Sequence, residues 1–392
     1  MVVETSACMK QETKGQQNTR AWTPDWKRIA NRIVRDALQL QTGERVVLAD
    51  PYVFPQCLDE FRAAVLELRG VEQATILNWT PRLSALRNAA GAPTEAEAML
   101  RERQAHLELL STADVFIWLP SAPFRTASYT EGESEWMLSR WRGRGVHFHW
   151  FADAGTPVGD PIHLELQKIY QSGILDLDYD ALRARQRRLL EAIRGREMQV
   201  TTPDGTDVSF FLPQDGWYHC NDGDASREKS LRAVCARDQE EEFPCGALRS
   251  RPDPDSVNGV IRIRRRTAWN GFGLDVDRFS SHLDLAFRDG HITEMRGGDN
   301  EEELIRVRSK FEGDWDRLGE IVLGTNPLLP TPSRALMPTY WGFGEGWFRF
   351  HIGESVESGG TSTSNLYLNL FLGDTTIKVE GNPILRDGRL LM

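Results

Sequence analysis

The sequence predicts an α/β protein with a Rossmann-like N-terminal domain, built on a parallel sheet, and a C-terminal α+β domain with a largely antiparallel sheet. Segments typical of strands and helices alternate through residues 22–195, which indicates parallel strands joined by right-handed crossovers. Short strands and turns replace this alternation over residues 196–392. The length of 392 residues fits two domains, at roughly 150 residues for each. Residues 1–21 are mostly polar, so we expect a disordered tail there.

The first elements of the N-terminal domain are two helices and two strands in alternation. Thr23 is the expected N-cap and Pro24 the first-turn residue of a helix whose apolar side chains recur at intervals of three to four. An apolar strand follows at residues 45–49. The second helix ends at Gly70, and the next strand covers residues 74–79.

The same alternation continues to the end of this domain. We expect helices over residues 94–110 and 133–144, and strands at residues 115–119 and 146–151. No G-x-G-x-x-G fingerprint follows the first strand, so a dinucleotide site is not supported. An amphipathic helix over residues 178–196 then joins the two domains.

The C-terminal domain opens with a predicted hairpin. Residues 198–200 and 208–211 are apolar strand segments that flank a Pro-Asp-Gly turn at residues 203–205. The acidic stretch at residues 222–242 is interpreted as a surface excursion. Further short strands are expected at residues 260–264, 283–287 and 324–327.

Charge and composition narrow the range of partners. The formal net charge of −10 disfavours nucleic acid as the main partner, since phosphate binding needs a basic surface. The one basic run, at residues 262–266, alternates with isoleucines as the solvated face of a strand would. The five cysteines form no CxxC pair, so neither a disulfide framework nor a zinc ribbon is indicated. No secretory h-region and no run of 18 apolar residues occur, which predicts a cytoplasmic protein without membrane contact.

Four stretches of the C-terminal half carry a resemblance to a known family. They cover residues 202–207, residues 242–248 with 257–259, residues 318–327, and residues 350–353 followed by 366–369 and 380–381. Their order and approximate spacing resemble those of the M29 metallo-aminopeptidases and of the related ring-cleaving dihydroxypyridine dioxygenases. The resemblance implies that the N-terminal half is the α/β domain of that family.

The resemblance also implies a pair of co-catalytic metal ions, but this sequence keeps only part of the ligand set. Glu320 and His351 stand where the family has a glutamate and a histidine ligand. Gly246 stands where a carboxylate is needed, and Tyr367 and Asn369 replace a His-x-Asp pair. Each ion needs about four N or O donors, and a phenol or an uncharged amide is a poor ligand. We therefore predict no catalytic residue, no bound metal and no other cofactor.

Other side chains could rebuild a metal site or supply different chemistry. The candidates in the same half are His282, His291, Glu345 and Glu354. The resemblance places His282, despite its H-x-D spacing, in a strand away from the site. His147 and His149 share one face of a strand and could bind a metal, with a structural role as the alternative. Cys220 follows His219, but adjacent strand positions face opposite ways, which disfavours a nucleophilic cysteine.

A peptide cleft can hold a peptide without its metal. The aromatic, glycine-rich stretch before His351 supplies four candidate peptide-binding residues: Trp341, Phe343, Trp347 and Arg349. Packing beneath the sheet is the alternative for these rings. The leading hypothesis is a non-catalytic peptide-binding protein, an accessory factor that holds a precursor peptide in the biosynthesis of ribosomally made peptide natural products. The alternatives are an active aminopeptidase or ring-cleaving dioxygenase with a rearranged metal site, and a structural dimer partner of an active relative. The resemblance implies a homodimer.

Overall fold

A computed structural model of the chain describes residues 22–50, 55–68, 73–78, 108, 111–119, 141, 143–150, 161–264, 268–272, 282–297, 301–331 and 342–392. The helices within them are α1 (Trp26–Asn31), continued by a π-helical segment (Arg32–Ala37), α2 (Pro55–Leu66), α3 (Pro161–Leu175), α4 (Tyr179–Ile193), α5 (Arg227–Ser230) and α6 (Glu301–Arg308). The strands of the N-terminal half are β1 (Arg45–Asp50), β2 (Gln73–Asn78), β3 (Val115–Trp118) and β4 (Arg144–Phe148).

The strands of the C-terminal half are more numerous. They are β5 (Arg196–Thr201), β6 (Asp207–Leu212), β7 (Tyr218–Asn221), β8 (Glu240–Phe243), β9 (Ala247–Ser250), β10 (Asn258–Arg264), β11 (Ala268–Phe272), β12 (His282–Arg288), β13 (His291–Gly297), β14 (Leu318–Gly324), β15 (Phe348–Gly353), β16 (Tyr367–Leu372), β17 (Thr376–Val379), β18 (Asn382–Arg386) and β19 (Arg389–Leu390). Two 3₁₀ turns, Ala236–Gln239 and Val356–Ser358, complete the described elements. None of the described helices is both long enough and apolar enough to cross a bilayer.

Helix α1 begins two residues later than the sequence predicted. Asp25, rather than Thr23, is the N-cap, and its carboxylate accepts a hydrogen bond from the backbone N–H of Arg28 at 3.1 Å. The aspartate thus accepts from a first-turn N–H group that has no partner within the helix, and its charge complements the positive end of the helix dipole. The predicted apolar face is buried, with Ile29 and Ile33 fully enclosed.

The first sheet is parallel, as the alternation of elements predicted. Its strand order is β2-β1-β3-β4-β8, and every neighbouring pair is parallel. All four residues of β3 are buried, as in a strand covered on both faces. The helix predicted over residues 94–110 lies almost entirely outside the described residues, as does most of the helix predicted over residues 133–144. Arg144 begins strand β4 and does not end a helix.

The fifth strand of the parallel sheet comes from the C-terminal half of the chain. β8 is Glu240-Glu241-Glu242-Phe243, and all four residues are buried. The expectation of a surface excursion over residues 222–242 is therefore wrong for this strand. Its carboxylates are buried because each is paired with a basic side chain: Glu240 with Arg237, Glu241 with Lys229, and Glu242 with Arg249. The boundary predicted at residue 195 consequently does not separate two independent sheets.

Two antiparallel sheets form the rest of the C-terminal half. An eight-stranded sheet has the order β13-β12-β10-β6-β5-β17-β18-β19, and a six-stranded sheet has the order β11-β16-β15-β14-β9-β7. The predicted hairpin is β5 and β6, paired from Arg196 with Leu212 to Thr201 with Asp207. One continuous core contains side chains from both sheets, including Val200 and Phe350. This arrangement is a sheet-on-sheet sandwich.

Helix α4 connects the parallel sheet to this sandwich, as the sequence predicted. Asp178 caps it, accepting a hydrogen bond from the N–H of Ala181 at 2.9 Å. Its buried Gln186 donates to the carbonyl oxygens of Asn221 at 3.1 Å and Ala247 at 3.2 Å. These bonds fix the helix against the six-stranded sheet beside the site described next.

Candidate functional site

Three of the residues singled out by the sequence form one row across the six-stranded sheet. Glu320 on β14 lies opposite His351 on β15, and His351 lies opposite Asn369 on β16. All three side chains are buried, with exposures of 4% or less. Residues paired across adjacent strands have Cβ atoms about 5 Å apart. The structure therefore brings these three positions together, as the resemblance implied.

Both ring nitrogens of His351 are engaged by the protein. Nε2 lies 2.6 Å from the carbonyl oxygen of Glu354, and Nδ1 lies 3.0 Å from the side-chain oxygen of Asn369. A carbonyl only accepts, so Nε2 carries the proton, and burial lowers the pKa of His351 so that the ring is neutral. Nδ1 must then accept, so the side-chain amide of Asn369 turns its NH₂ group, and not its oxygen, toward this nitrogen. Neither nitrogen has a lone pair free for a metal.

Glu320 is held by cations of the protein itself. Its Oε1 accepts hydrogen bonds from Arg249 and Arg349, each at 3.0 Å, and its Oε2 accepts one from the Ser358 hydroxyl at 2.5 Å. Burial alone would raise the pKa of Glu320, but Arg249 and then Arg349 outweigh it and hold the pKa at about 2. The carboxylate is therefore ionised, and both of its oxygens are occupied.

Tyr367 packs against this row but is not suited to bind a metal. Its ring meets that of His351 edge-on, with centroids 4.2 Å apart. Burial raises the pKa of the Tyr367 phenol, and the nearby charge of Glu357 raises it further. The phenol therefore stays protonated at neutral pH, and a neutral phenol is a weak donor to a divalent cation.

Gly246 leaves no room for the carboxylate that the resemblance requires at that position. Its backbone is left-handed, with φ of 136°, and a Cβ built there would lie 2.4 Å from the Cβ of Asn326. The Gly246 N–H donates to the side-chain oxygen of Asn221 at 2.8 Å. This glycine is required by close backbone packing, so the missing ligand cannot be restored by one substitution here.

A buried arginine–glutamate network, which the sequence analysis did not predict, extends from this row to β8. Nη1 of Arg237 lies 2.9 Å from Glu240 and 3.7 Å from Glu242, and its Nη2 donates to Glu357. Arg249 donates to Glu242 from the other side and so links β8 to Glu320. The network contains three guanidinium groups, of Arg237, Arg249 and Arg349, and four carboxyl groups, of Glu240, Glu242, Glu320 and Glu357.

The substitute ligands considered from the sequence do not join this row. His282 and His291 belong to strands of the eight-stranded sheet, where they lie 3.8 Å from Asp284 and 2.8 Å from Asp316. Glu345 pairs with Arg185 at 2.5 Å. Among the described residues, the ligand set of the rearranged peptidase site is therefore not assembled.

Glu354 and Cys220 are also unsuited to the chemistry considered for them. The Glu354 carboxyl accepts hydrogen bonds from the N–H groups of Val356 and Glu357. Burial, followed by the charge of Glu357, raises the pKa of Glu354 to about 8, so it is mostly protonated at pH 7. Burial raises the pKa of the Cys220 thiol to about 12, and its neighbour His219 pairs instead with Asp238 at 3.1 Å. No activated thiolate exists there.

The candidate peptide-binding residues lie mostly in the interior. Phe343 is fully buried, and Trp347 is 2% exposed with its indole N–H donating to the carbonyl oxygen of Pro330 at 2.9 Å. Arg349 belongs to the network around Glu320, and Trp341 lies outside the described residues. The structure thus favours packing over surface recognition for Phe343 and Trp347, because their rings have no exposed face for a peptide.

Comparisons with known proteins place this fold among solved structures. No family model matches the chain, and no curated protein matches its sequence. The chain is similar to 2,5-dihydroxypyridine dioxygenase from Pseudomonas putida KT2440, with a TM-score of 0.62, 17% identity and coverage of 93% of this chain and 96% of that one. It is also similar to wild-type AmpT from Thermus thermophilus, with a TM-score of 0.64, 15% identity and coverage of 94% and 99%. At these identities the likeness concerns the fold, and it confirms the predicted M29-like α/β architecture.

Proposed function

We propose that this chain is a non-catalytic peptide-binding protein built on a metallo-aminopeptidase scaffold. One observation carries the proposal: both oxygens of Glu320, the carboxylate at the position where the resemblance places a metal ligand, already accept hydrogen bonds from Arg249, Arg349 and Ser358. The retained imidazole of His351 is equally occupied by Asn369 and a backbone carbonyl. Hydrolysis in the M29-like manner needs a metal to polarise the carbonyl and activate water.

The electrostatics at this row oppose a metal ion. Arg249 and Arg349 are permanently charged and lie against the oxygen that a metal would need. A divalent cation placed there would be repelled by both guanidinium groups and would have to displace them from Glu320. The two guanidinium groups thus balance the charge of the buried Glu320 carboxylate in the absence of a metal ion.

The assignment of a peptide as the ligand rests on the scaffold. The sequence resembles those of peptidases, so we expect the scaffold to keep the shape with which such enzymes bind a peptide. Binding a peptide, unlike cleaving it, does not require the metal. We further propose that the protein holds a precursor peptide for modifying enzymes that act on ribosomally made peptides.

The test separates binding from turnover. Full-length protein is incubated with aminoacyl-p-nitroanilides and with 2,5-dihydroxypyridine in the presence of added Zn²⁺, Mn²⁺ or Fe²⁺, and a library of fluorescein-labelled decapeptides is screened by fluorescence anisotropy. We expect no turnover, and saturable anisotropy changes with peptides recovered intact by mass spectrometry. Metal-dependent cleavage of either substrate class, or the absence of any peptide binding, would contradict the proposal.

The same resemblance leads us to propose a homodimer. Sedimentation equilibrium on the purified chain measures this directly, and the chain mass of 44.5 kDa separates monomer from dimer clearly. A single species at twice the chain mass is expected. A monomer at all concentrations would remove the dimer from the proposal and leave peptide binding to be tested separately.

A further inference from the structure

A second cluster of potential ligands lies where the parallel sheet meets β8. His147 and His149 are two residues apart on β4, so their side chains project from the same face. β8 runs parallel beside β4, with Glu242 in register with His147. The carboxylate therefore lies on the face that carries both imidazoles. The sequence predicted the shared face of the two histidines but not the arrival of Glu242.

The three side chains are close enough to share one ion. One ligand atom from each of His147, His149 and Glu242 lies within 4.8 Å of the other two. Nε2 of His149 is 3.6 Å from Oε1 of Glu242, and the two imidazole centroids are 3.7 Å apart. Donors bound to one ion at about 2 Å lie up to about 4 Å from each other, so small rotations of the side chains complete the geometry.

The donors are oriented for binding. Arg249 takes Oε2 of Glu242 and leaves Oε1 facing the histidines. The side chains of His147 and His149 are 20% and 18% exposed.

We propose that His147, His149 and Glu242 form a binding site for one divalent first-row transition-metal ion, such as Zn²⁺, that bridges β4 and β8. Two imidazoles and one carboxylate are the donors of mononuclear Zn²⁺ sites that keep an open position, and of the facial triad that binds Fe²⁺. The site is separate from the Glu320 and His351 row. It departs from the sequence-based expectation that no metal is bound.

The proposed ligands are themselves held in place by neighbouring side chains. Glu240 Oε1 lies 3.7 Å from Nδ1 of His147, and the indole of Trp118 stacks on the His147 ring at 5.0 Å. Arg249 connects Glu242 onward to Glu320. Such contacts fix the orientation of ligands and tune their affinity for the metal. An ion at this site would reinforce the connection between the two halves of the chain.

The experiment measures Zn²⁺ binding directly. Full-length protein is stripped with a chelator and titrated with Zn²⁺ by isothermal calorimetry, with metal content read by mass spectrometry. We expect one Zn²⁺ per chain, and affinity at least about tenfold weaker in the His147→Ala/His149→Ala variant. The matched control is His282→Ala/His291→Ala, which removes two other partly exposed histidines and should bind as the native chain does.

Further variants distinguish this site from the Glu320 row. Zn²⁺ binding should persist in His351→Ala, because that histidine is not part of the proposed site. Where the double variant fails to fold, as judged by circular dichroism, His147→Asn and His149→Asn are used singly and should each weaken binding. Absence of Zn²⁺ binding by the native chain would overturn this inference and leave the proposed function standing. Binding retained in the double variant but lost in His351→Ala would overturn both.

Discussion

The guanidinium of Arg249 lies 3.0 Å from the carboxylate of Glu320, its neighbour on the adjacent strand of the six-stranded sheet. Arginine stays protonated at any physiological pH and cannot exchange with solvent as a metal ion can. A permanent cation of the protein itself thus lies beside Glu320, the carboxylate at the position where the resemblance places a metal ligand. Because Arg249 also donates to Glu242, it connects the antiparallel sheet to the parallel one.

Neutralising Glu320 should be costly to the fold. Glu320→Gln leaves Arg249 and Arg349 buried beside an uncharged amide, and breaking one side of a buried ion pair costs about 3–5 kcal/mol. Urea unfolding followed by circular dichroism measures the loss. The matched control is Glu294→Gln, which breaks an exposed pair with Arg296 and should cost about 1 kcal/mol or less. Equal effects of the two substitutions would show that the buried network contributes little.

Lowering the pH should reduce the free energy of unfolding, because Glu320 becomes protonated. The pKa of Glu320 is about 2 in the folded chain and near 4.5 when unfolded, so the unfolded state binds more protons between these values. Its stabilising contribution, on the order of 3 kcal/mol, is present above pH 4.5 and is lost as pH falls toward 2. Urea midpoints of chelator-treated protein at pH 6, 4 and 3 should decline. Glu320→Gln should decline less steeply, and identical slopes would contradict the assignment.

Gly246 should tolerate no side chain. Gly246→Ala places a Cβ against Asn326 and also imposes a left-handed backbone on alanine, so we expect a loss above about 2 kcal/mol. Gly381→Ala is the matched control, because Gly381 also has positive φ, of 83°, but open space around its Cβ position. That control should lose only the conformational cost, about 1 kcal/mol. Thermal melting compares the two, and similar losses would mean that the packing at Asn326 relaxes.

Glu354→Gln should stabilise the protein at alkaline pH. Burial raises the pKa of Glu354 to about 8, above its unfolded value near 4.5, so the folded state binds more protons between these values. This group therefore lowers stability progressively as pH rises through that window. The amide removes the titration while its oxygen can still accept from Val356. We expect a gain of at least about 1 kcal/mol at pH 8.5 and little change at pH 5; a gain of equal size at both would point to another cause.

Much of the architecture could be predicted from local patterns. Alternating strands and helices predicted the parallel sheet, and the Pro-Asp-Gly turn predicted the hairpin of β5 and β6. The resemblance placed Glu320, His351 and Asn369 together, and they occupy one row across three strands. Each of these predictions depends on residues that are close together in the sequence, or on the order in which several short stretches follow one another.

The buried charges could not be predicted in that way. A run of three glutamates is typical of a solvated surface, yet all three are buried: Glu240 and Glu242 belong to the network at the site, and Glu241 pairs with Lys229. Arg237 and Arg249, which pair with Glu240 and Glu242, lie three and seven residues from them along the chain. The histidines of β4, which face the same carboxylates, come from about ninety residues upstream. The strand's only local signal is Phe243 at its end. A pattern of polar and apolar residues contains no information about such tertiary partners.

The position of β8 in the sequence also determines when the parallel sheet can finish folding during synthesis. The ribosome must release more than 240 residues before the parallel sheet has all five strands, since β4 waits for a neighbour nearly a hundred residues downstream. Until then β4 is an unprotected edge, open to pairing with another nascent chain. A fragment that stops at residue 195 would keep that edge exposed permanently. Dividing this gene at its apparent domain boundary should therefore yield aggregation, whereas a cut beyond Phe243 leaves the sheet complete.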